Sequence, residues 1–173
     1  MNPFSFKEWT KVASPSEEIK EINKKVEESV ENLGESSSDY TKEEVVSEVV
    51  KKYSEVSPTE VLHPEYTIKG HEVESIVLQL SPEAHDKQLE HFIGILEEKG
   101  IRNAFTVIEK LNNPHLLDDF HRFLVEFISA GYTIPDLREK DDLWKPLHMS
   151  LFEVSLPDPS EEDRNKSLKE LIY

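Results

Sequence analysis

Apolar residues recur every three or four positions along most of this chain, and that rhythm predicts helices. Ile19, Ile22, Val26, Val30 and Leu33 lay a narrow apolar stripe along an otherwise charged cylinder. Ser14 supplies an N-cap oxygen, Pro15 the first helical position and Glu17 a side chain that can reach back, while Gly34 suits a left-handed stop. Residues 35–39, rich in serine, read as a linker. Thr41 and Glu44 then form a second capping pair. The helix through Tyr53 carries Val45, Val46, Val49 and Val50, a β-branched cluster of moderate helix propensity. Residues 54–69, with Pro58 and Pro64, read as an irregular connection. Residues 71–80 fit a helix through Val73, Ile76, Val77 and Leu80, or a strand through Ile76, Leu78 and Leu80; Glu72 and Glu74 beside Val73 favour the helix.

The strongest pattern spans residues 81–131. Ser81 as N-cap and Pro82 at the first position open a helix that buries Leu89, Phe92, Ile93 and Leu96, and Gly100 closes it. Asn103 is placed to cap a second helix burying Ala104, Val107, Ile108 and Leu111. Asn113 and Pro114 open a third, with Leu117, Phe120, Phe123, Leu124, Phe127 and Ile128 on its inner face before Gly131. Helices joined by such short turns must fold back on one another. The predicted fold is therefore mainly α. It has a compact three-helix core at about 82–131, additional N-terminal helices, and one short strand plus a helix in the C-terminal part.

The predicted organisation has three parts. Residues 1–60 form a mobile N-terminal helical segment with a linker near 35–40, residues 61–131 a helical core domain, and residues 132–173 a connection, strand and terminal helix. In the last part Leu147, Met149 and Leu151 alternate with Phe152, Val154 and Leu156, as in a strand covered on both faces. Leu168, Leu171 and Ile172 follow on one helical face. Such a unit reads as the start of an α/β domain that continues elsewhere.

Charge narrows the function classes. Among 173 residues, 36 are acidic and 20 basic, and the excess is spread as −6, −2, −4 and −4 over residues 1–60, 61–81, 82–131 and 132–173. Without a basic patch to displace phosphate counterions, direct nucleic-acid binding is not expected, nor is adhesion to an anionic membrane. The chain has no cysteine, so disulfides, thiolate metal sites and cysteine nucleophiles are excluded, and a cytoplasmic location fits. No apolar run reaches the roughly 20 residues that span a bilayer.

Two groups of residues invite a functional reading. Phe4, Phe6 and Trp9 either pack back onto the domain or form a short peptide that docks in a partner's groove. The stripe from Ile19 to Leu33 suits a helical hairpin or a coiled coil. On the third core helix His115 and Asp119 share one face, and Asp118 and His121 another, about 100° away. They read as caps and local ion-pair partners; a metal or acid/base site would need ligands from other helices. The Gly-rich phosphate loop, the dinucleotide fingerprint, the serine-hydrolase elbow and the zinc-protease motif are all absent. No enzymatic activity, cofactor or metal is expected.

Three stretches carry a family resemblance: residues 78–86 (LQLSPEAHD), residues 94–104 (GILEEKGIRNA) and residues 112–124 (NNPHLLDDFHRFL), with Phe152–Pro157 at the end. Together they resemble the N-terminal region of bacterial conjugation or type IV secretion-like ATPases of the P-loop translocase group, over roughly residues 63–173. The resemblance implies a non-catalytic helical module that precedes an ATP-driven motor near a membrane, with a motor component or further domains of the same protein as partner. The chain lacks the nucleotide-binding loop, so ATP hydrolysis is carried by none of its residues. The leading expectation is thus an interaction or assembly module. The alternatives are a stand-alone adaptor that self-associates through residues 14–33, and, remotely, a metal-dependent enzyme using the His115–His121 helix.

Overall fold

A computed structural model describes Phe4 and residues 8–135, and among these the regular elements are helices. They are α1 (Pro15–Leu33), a 3-10 segment (Gly34–Asp39), α2 (Lys42–Glu55), α3 (Pro58–Val61), α4 (Gly70–Leu80), α5 (His85–Lys99), α6 (Ile101–Leu111) and α7 (Pro114–Ser129). The fold is mainly α, and the ambiguous stretch at 71–80 is helical. The strand and helix expected within 147–173, and Phe6, lie outside the described residues.

Local signals set many of the helix ends. Ser14 Oγ accepts the Glu17 N–H at 3.2 Å, and Glu17 reaches back to the Ala13 N–H at 2.7 Å. Thr41 and Glu44 complete a reciprocal capping box. Asn113 Oδ1 accepts from Leu116 N–H with Pro114 at the first helical position. Satisfying these otherwise unpaired amides contributes about 1 kcal/mol per cap.

The start of α5 differs from expectation. Ser81 and Pro82 belong to the turn after α4, and the helix begins at His85. Ser81 Oγ donates to the Val77 carbonyl at 2.6 Å and Gln88 Nε2 to the Leu80 carbonyl at 2.9 Å, so both serve the end of α4. Asn103 also works away from its expected place. Fully buried in the first turn of α6, it donates to the Tyr66 and Lys99 carbonyls and accepts from Ile68 N–H. It fastens the 63–69 connection to α6 and caps no helix of its own.

The core is wider than three helices. Phe120 of α7 meets Phe92 of α5 and Phe105 of α6, with ring centroids 6.0 and 5.3 Å apart. Yet α7 packs most extensively on α2. Val46, Val49 and Val50 of α2 are completely buried, and Val45 and Tyr53 nearly so. Full burial of a valine side chain stabilises by about 1.5–3 kcal/mol, which offsets the weak helix propensity of this run. α1 lies against α2 and α5. Residues 15–55 are therefore integral to one hydrophobic cluster with α5–α7.

Residues 8–14 are laid along the same body. Val12 pairs with Leu62 in an isolated parallel bridge, through Val12 N–H to the Val61 carbonyl and His63 N–H to the Val12 carbonyl, both 3.0 Å. Thr10 N–H donates to Glu21 Oε1 at 3.0 Å, and the Trp9 ring meets Tyr53 edge-on at 4.9 Å. No helix of the described residues is long and apolar enough to cross a membrane.

Candidate functional site

The residues singled out by sequence fall into two sets. Ile19, Ile22, Val26 and Leu33 are all buried, because α2 and α5 cover that face of α1; of the stripe only Val30 is exposed, at 43%. A coiled coil along this seam would have to unpack the fold, so the stripe is not an open pairing surface. Phe4 and Trp9 pack back as well. Phe4 is buried against Tyr40, its carbonyl accepts from Lys52 Nζ, and Trp9 lies beneath the Lys25 ammonium.

The polar residues of α7 are dispersed in the way their helical spacing implies. Asp119 pairs across to His85 of α5, Nε2 to Oδ2 at 2.7 Å, and His121 Nε2 lies 3.2 Å from the Ser47 carbonyl of α2. His115 and Asp118 are exposed. Among the described residues no three His, Asp or Glu side chains converge as a metal would require. Asp119 and His121 thus act as cross-links between helices.

A feature that spacing did not disclose lies at the start of α6. Glu18, buried in the first turn of α1, aims its carboxylate at the α6 N-terminus. Oε2 accepts from Ile101 N–H at 2.5 Å and Oε1 from Arg102 N–H at 3.1 Å. Tyr53 of α2 donates to Oε1 at 2.8 Å and Tyr66 to Oε2 at 3.5 Å. A carboxylate at a helix N-terminus meets both unpaired amides and the positive end of the macrodipole. Glu18 thus caps α6 from 83 residues away. Burial and the negative charge of Glu18 hold the Tyr53 and Tyr66 hydroxyls well above the usual tyrosine range, so both stay protonated.

Burial pushes the Glu18 carboxyl from its usual 4.5 up to about 7, against the pull of hydrogen bonds from Tyr53, Arg102, Ile101 and Tyr66. The sign of the linkage follows. With its value raised on folding, the native chain binds the extra proton between these two values, so this contribution is complete below about pH 4.5 and is lost as pH rises through about 7. The amount is on the order of 3 kcal/mol. Urea denaturation at several pH values across this window is expected to show a larger loss of stability for the native sequence than for Glu18→Gln. Equal slopes would mean that Glu18 does not titrate there.

Among the described residues a groove of mixed character lies between α2, α6 and α7, with a volume of about 590 Å³. Phe105 and Leu117 supply its apolar lining, Lys51 and Glu55 stand on the α2 side, and Glu109 and Asp118 on the α6 and α7 sides. Arg102 forms part of the lining but is only 5% exposed. Its Nε donates to the Val56 carbonyl at 2.7 Å, Nη1 to Thr106 Oγ1 at 3.3 Å, and Nη2 faces Glu109 Oε1 at 3.6 Å. The guanidinium therefore shapes the wall, and Lys51, Glu55 and Asp118 are exposed charges of the lining. No sequence motif marks this groove; it exists because α2 packs beside two helices far along the chain. No family model matches the chain, and neither a curated protein nor a solved structure gives a significant match.

Proposed function

We propose that this chain is a non-catalytic helical interaction module that receives an apolar anchor of a protein partner in the α2–α6–α7 groove. One observation carries the reading: apolar Phe105 and Leu117 lie in a recess rimmed by charges of both signs, Lys51 opposite Glu109 and Asp118 among them. An apolar centre with a polar, charged rim is the arrangement of protein interfaces, where a few central anchors carry most of the affinity. The resemblance to type IV secretion-like ATPases supplies the partner class, a component of a translocation motor or further domains of the same protein. On that reading the module positions or docks the motor, at the cytoplasmic face of a membrane complex.

The test is a photocrosslinking residue placed at Leu117 in cells, with Leu78, 76% exposed on α4, as the control position. Adducts to one recurring motor component from Leu117 and not from Leu78 are expected. With that component purified, Leu117→Asp is expected to weaken binding roughly thirty-fold, the effect of removing a central anchor, with little change in the circular dichroism spectrum. Equal crosslinking from both positions, or unchanged affinity in the variant, overturns the proposal.

A further inference from the structure

Glu18 sits in a cluster whose hydrogen-bond count is satisfied in two protonation states. As a carboxylate it is the common acceptor for Ile101 N–H, Arg102 N–H, Tyr53 O–H and Tyr66 O–H. The two peptide N–H groups can only donate, whereas a hydroxyl can donate or accept. One added proton on the carboxyl therefore requires one hydroxyl to reverse. Tyr53, 1% exposed and 2.8 Å from Oε1, is tightly held. Tyr66 is half-buried, and its 3.5 Å contact with Oε2 is the longest of the four, well beyond the usual 2.7–2.8 Å for O–H···O. It is the partner with room to turn and a side open to solvent.

Gly100 completes the cluster. A side-chain carbon there would fall on Glu18 Oε2 and on the Tyr66 hydroxyl, so the two oxygens occupy the space that glycine leaves. Tyr66 is in turn tied to α6, because its carbonyl accepts from Asn103 Nδ2 and the Ile68 N–H donates to Asn103 Oδ1. A change at the Tyr66 hydroxyl is thereby passed to the 63–69 connection.

We propose that Glu18, Tyr66 and Gly100 form a reversible proton-binding latch, in which a proton from solvent bound at Glu18 Oε2 turns Tyr66 from donor to acceptor and couples the 63–69 connection to pH. The proton adds to the carboxylate oxygen and is returned to water on deprotonation; no other bond is made or broken. The groups that bear on the cluster are Tyr53 from α2, Tyr66 from the connection, Glu17 from α1 and Arg102 from α6. Of these, Glu17 and Arg102 act electrostatically on the tyrosines. Burial, which pushes the Glu18 carboxyl up to about 7, favours its protonated form.

The decisive experiment is a carbon-detected NMR titration of the native full chain, following the Glu18 carboxyl and the Tyr66 ring. The Glu18 carboxyl is expected to titrate near 7, with the Tyr66 ring following the same midpoint. Tyr66→Phe removes a donor to the charged form and is expected to raise the Glu18 midpoint by roughly half a unit or more. A Glu18 carboxyl that titrates with the exposed glutamates, or a Tyr66 ring indifferent to the Glu18 transition, overturns the latch. The native titration decides the matter even where the variant fails to fold.

Discussion

Replacing Gly100 with alanine is expected to destabilise the protein by about 4 kcal/mol or more, from two causes that act together. The first is backbone conformation. Gly100 stands at φ 85° and ψ −179° between α5 and α6, a region essentially reserved for glycine, and forcing a side chain there costs about 1–3 kcal/mol. The second is the neighbour. The added carbon would collide with Glu18 Oε2 and the Tyr66 hydroxyl, displacing the carboxylate from the buried Ile101 and Arg102 amides that it serves. Each buried donor left unsatisfied costs about 1–3 kcal/mol. The total is comparable with the 5–15 kcal/mol stability of a typical domain. Chemical denaturation of the single variants and of the Gly100→Ala, Glu18→Ala pair separates the causes. The alanine penalty should shrink when the carboxylate is gone, since coupled neighbours are not additive. A penalty unchanged in the double variant would assign the whole effect to the backbone.

Phe120→Ala is expected to cost about 3–5 kcal/mol, the range for truncating a buried aromatic. Phe120 is fully buried at the point where α5, α6 and α7 meet, with Phe92 and Phe105 as ring neighbours. No single neighbour can collapse into the space, because Phe92 and Phe105 are held by separate helices. The measurement is the denaturant midpoint at constant slope, which reports stability without a change in the surface exposed on unfolding. A loss below about 1 kcal/mol would show that the site collapses freely and that the aromatic cluster is not the centre of the core.

The two substitutions also mark what the sequence could and could not reveal. Phe120 was readable because its evidence is local: a 3.6-residue rhythm shared with Phe123, Leu124 and Phe127, opened by Asn113 and Pro114. The same holds for Ser14, Thr41 and Gly34, where cap and helix are adjacent. Gly100 was readable as a helix terminator but not as the space for a carboxylate, since Glu18 looks like any acidic residue in a first turn. Its partner in α6 is brought near only by folding. The same physics explains the error at Asn103, a cap by residue type whose amide was claimed by the Tyr66 carbonyl and the Ile68 N–H. Ser81 and Pro82 misled because a cap and a turn share these residue types. The spacing of the α2 valines marks a helix face, but nothing in it names α7 as the surface that covers them. The groove is illegible for that reason as well.

That late partnership has a consequence for synthesis. α2 leaves the ribosome with its row of valines complete, while the helix that shields them is still to be translated some 70 residues downstream. Until Pro114–Ser129 has emerged, the nascent polypeptide carries a sticky, half-clothed surface. Ribosome-bound chains stalled just before that segment should therefore recruit holding chaperones, and chains stalled well beyond it should release them.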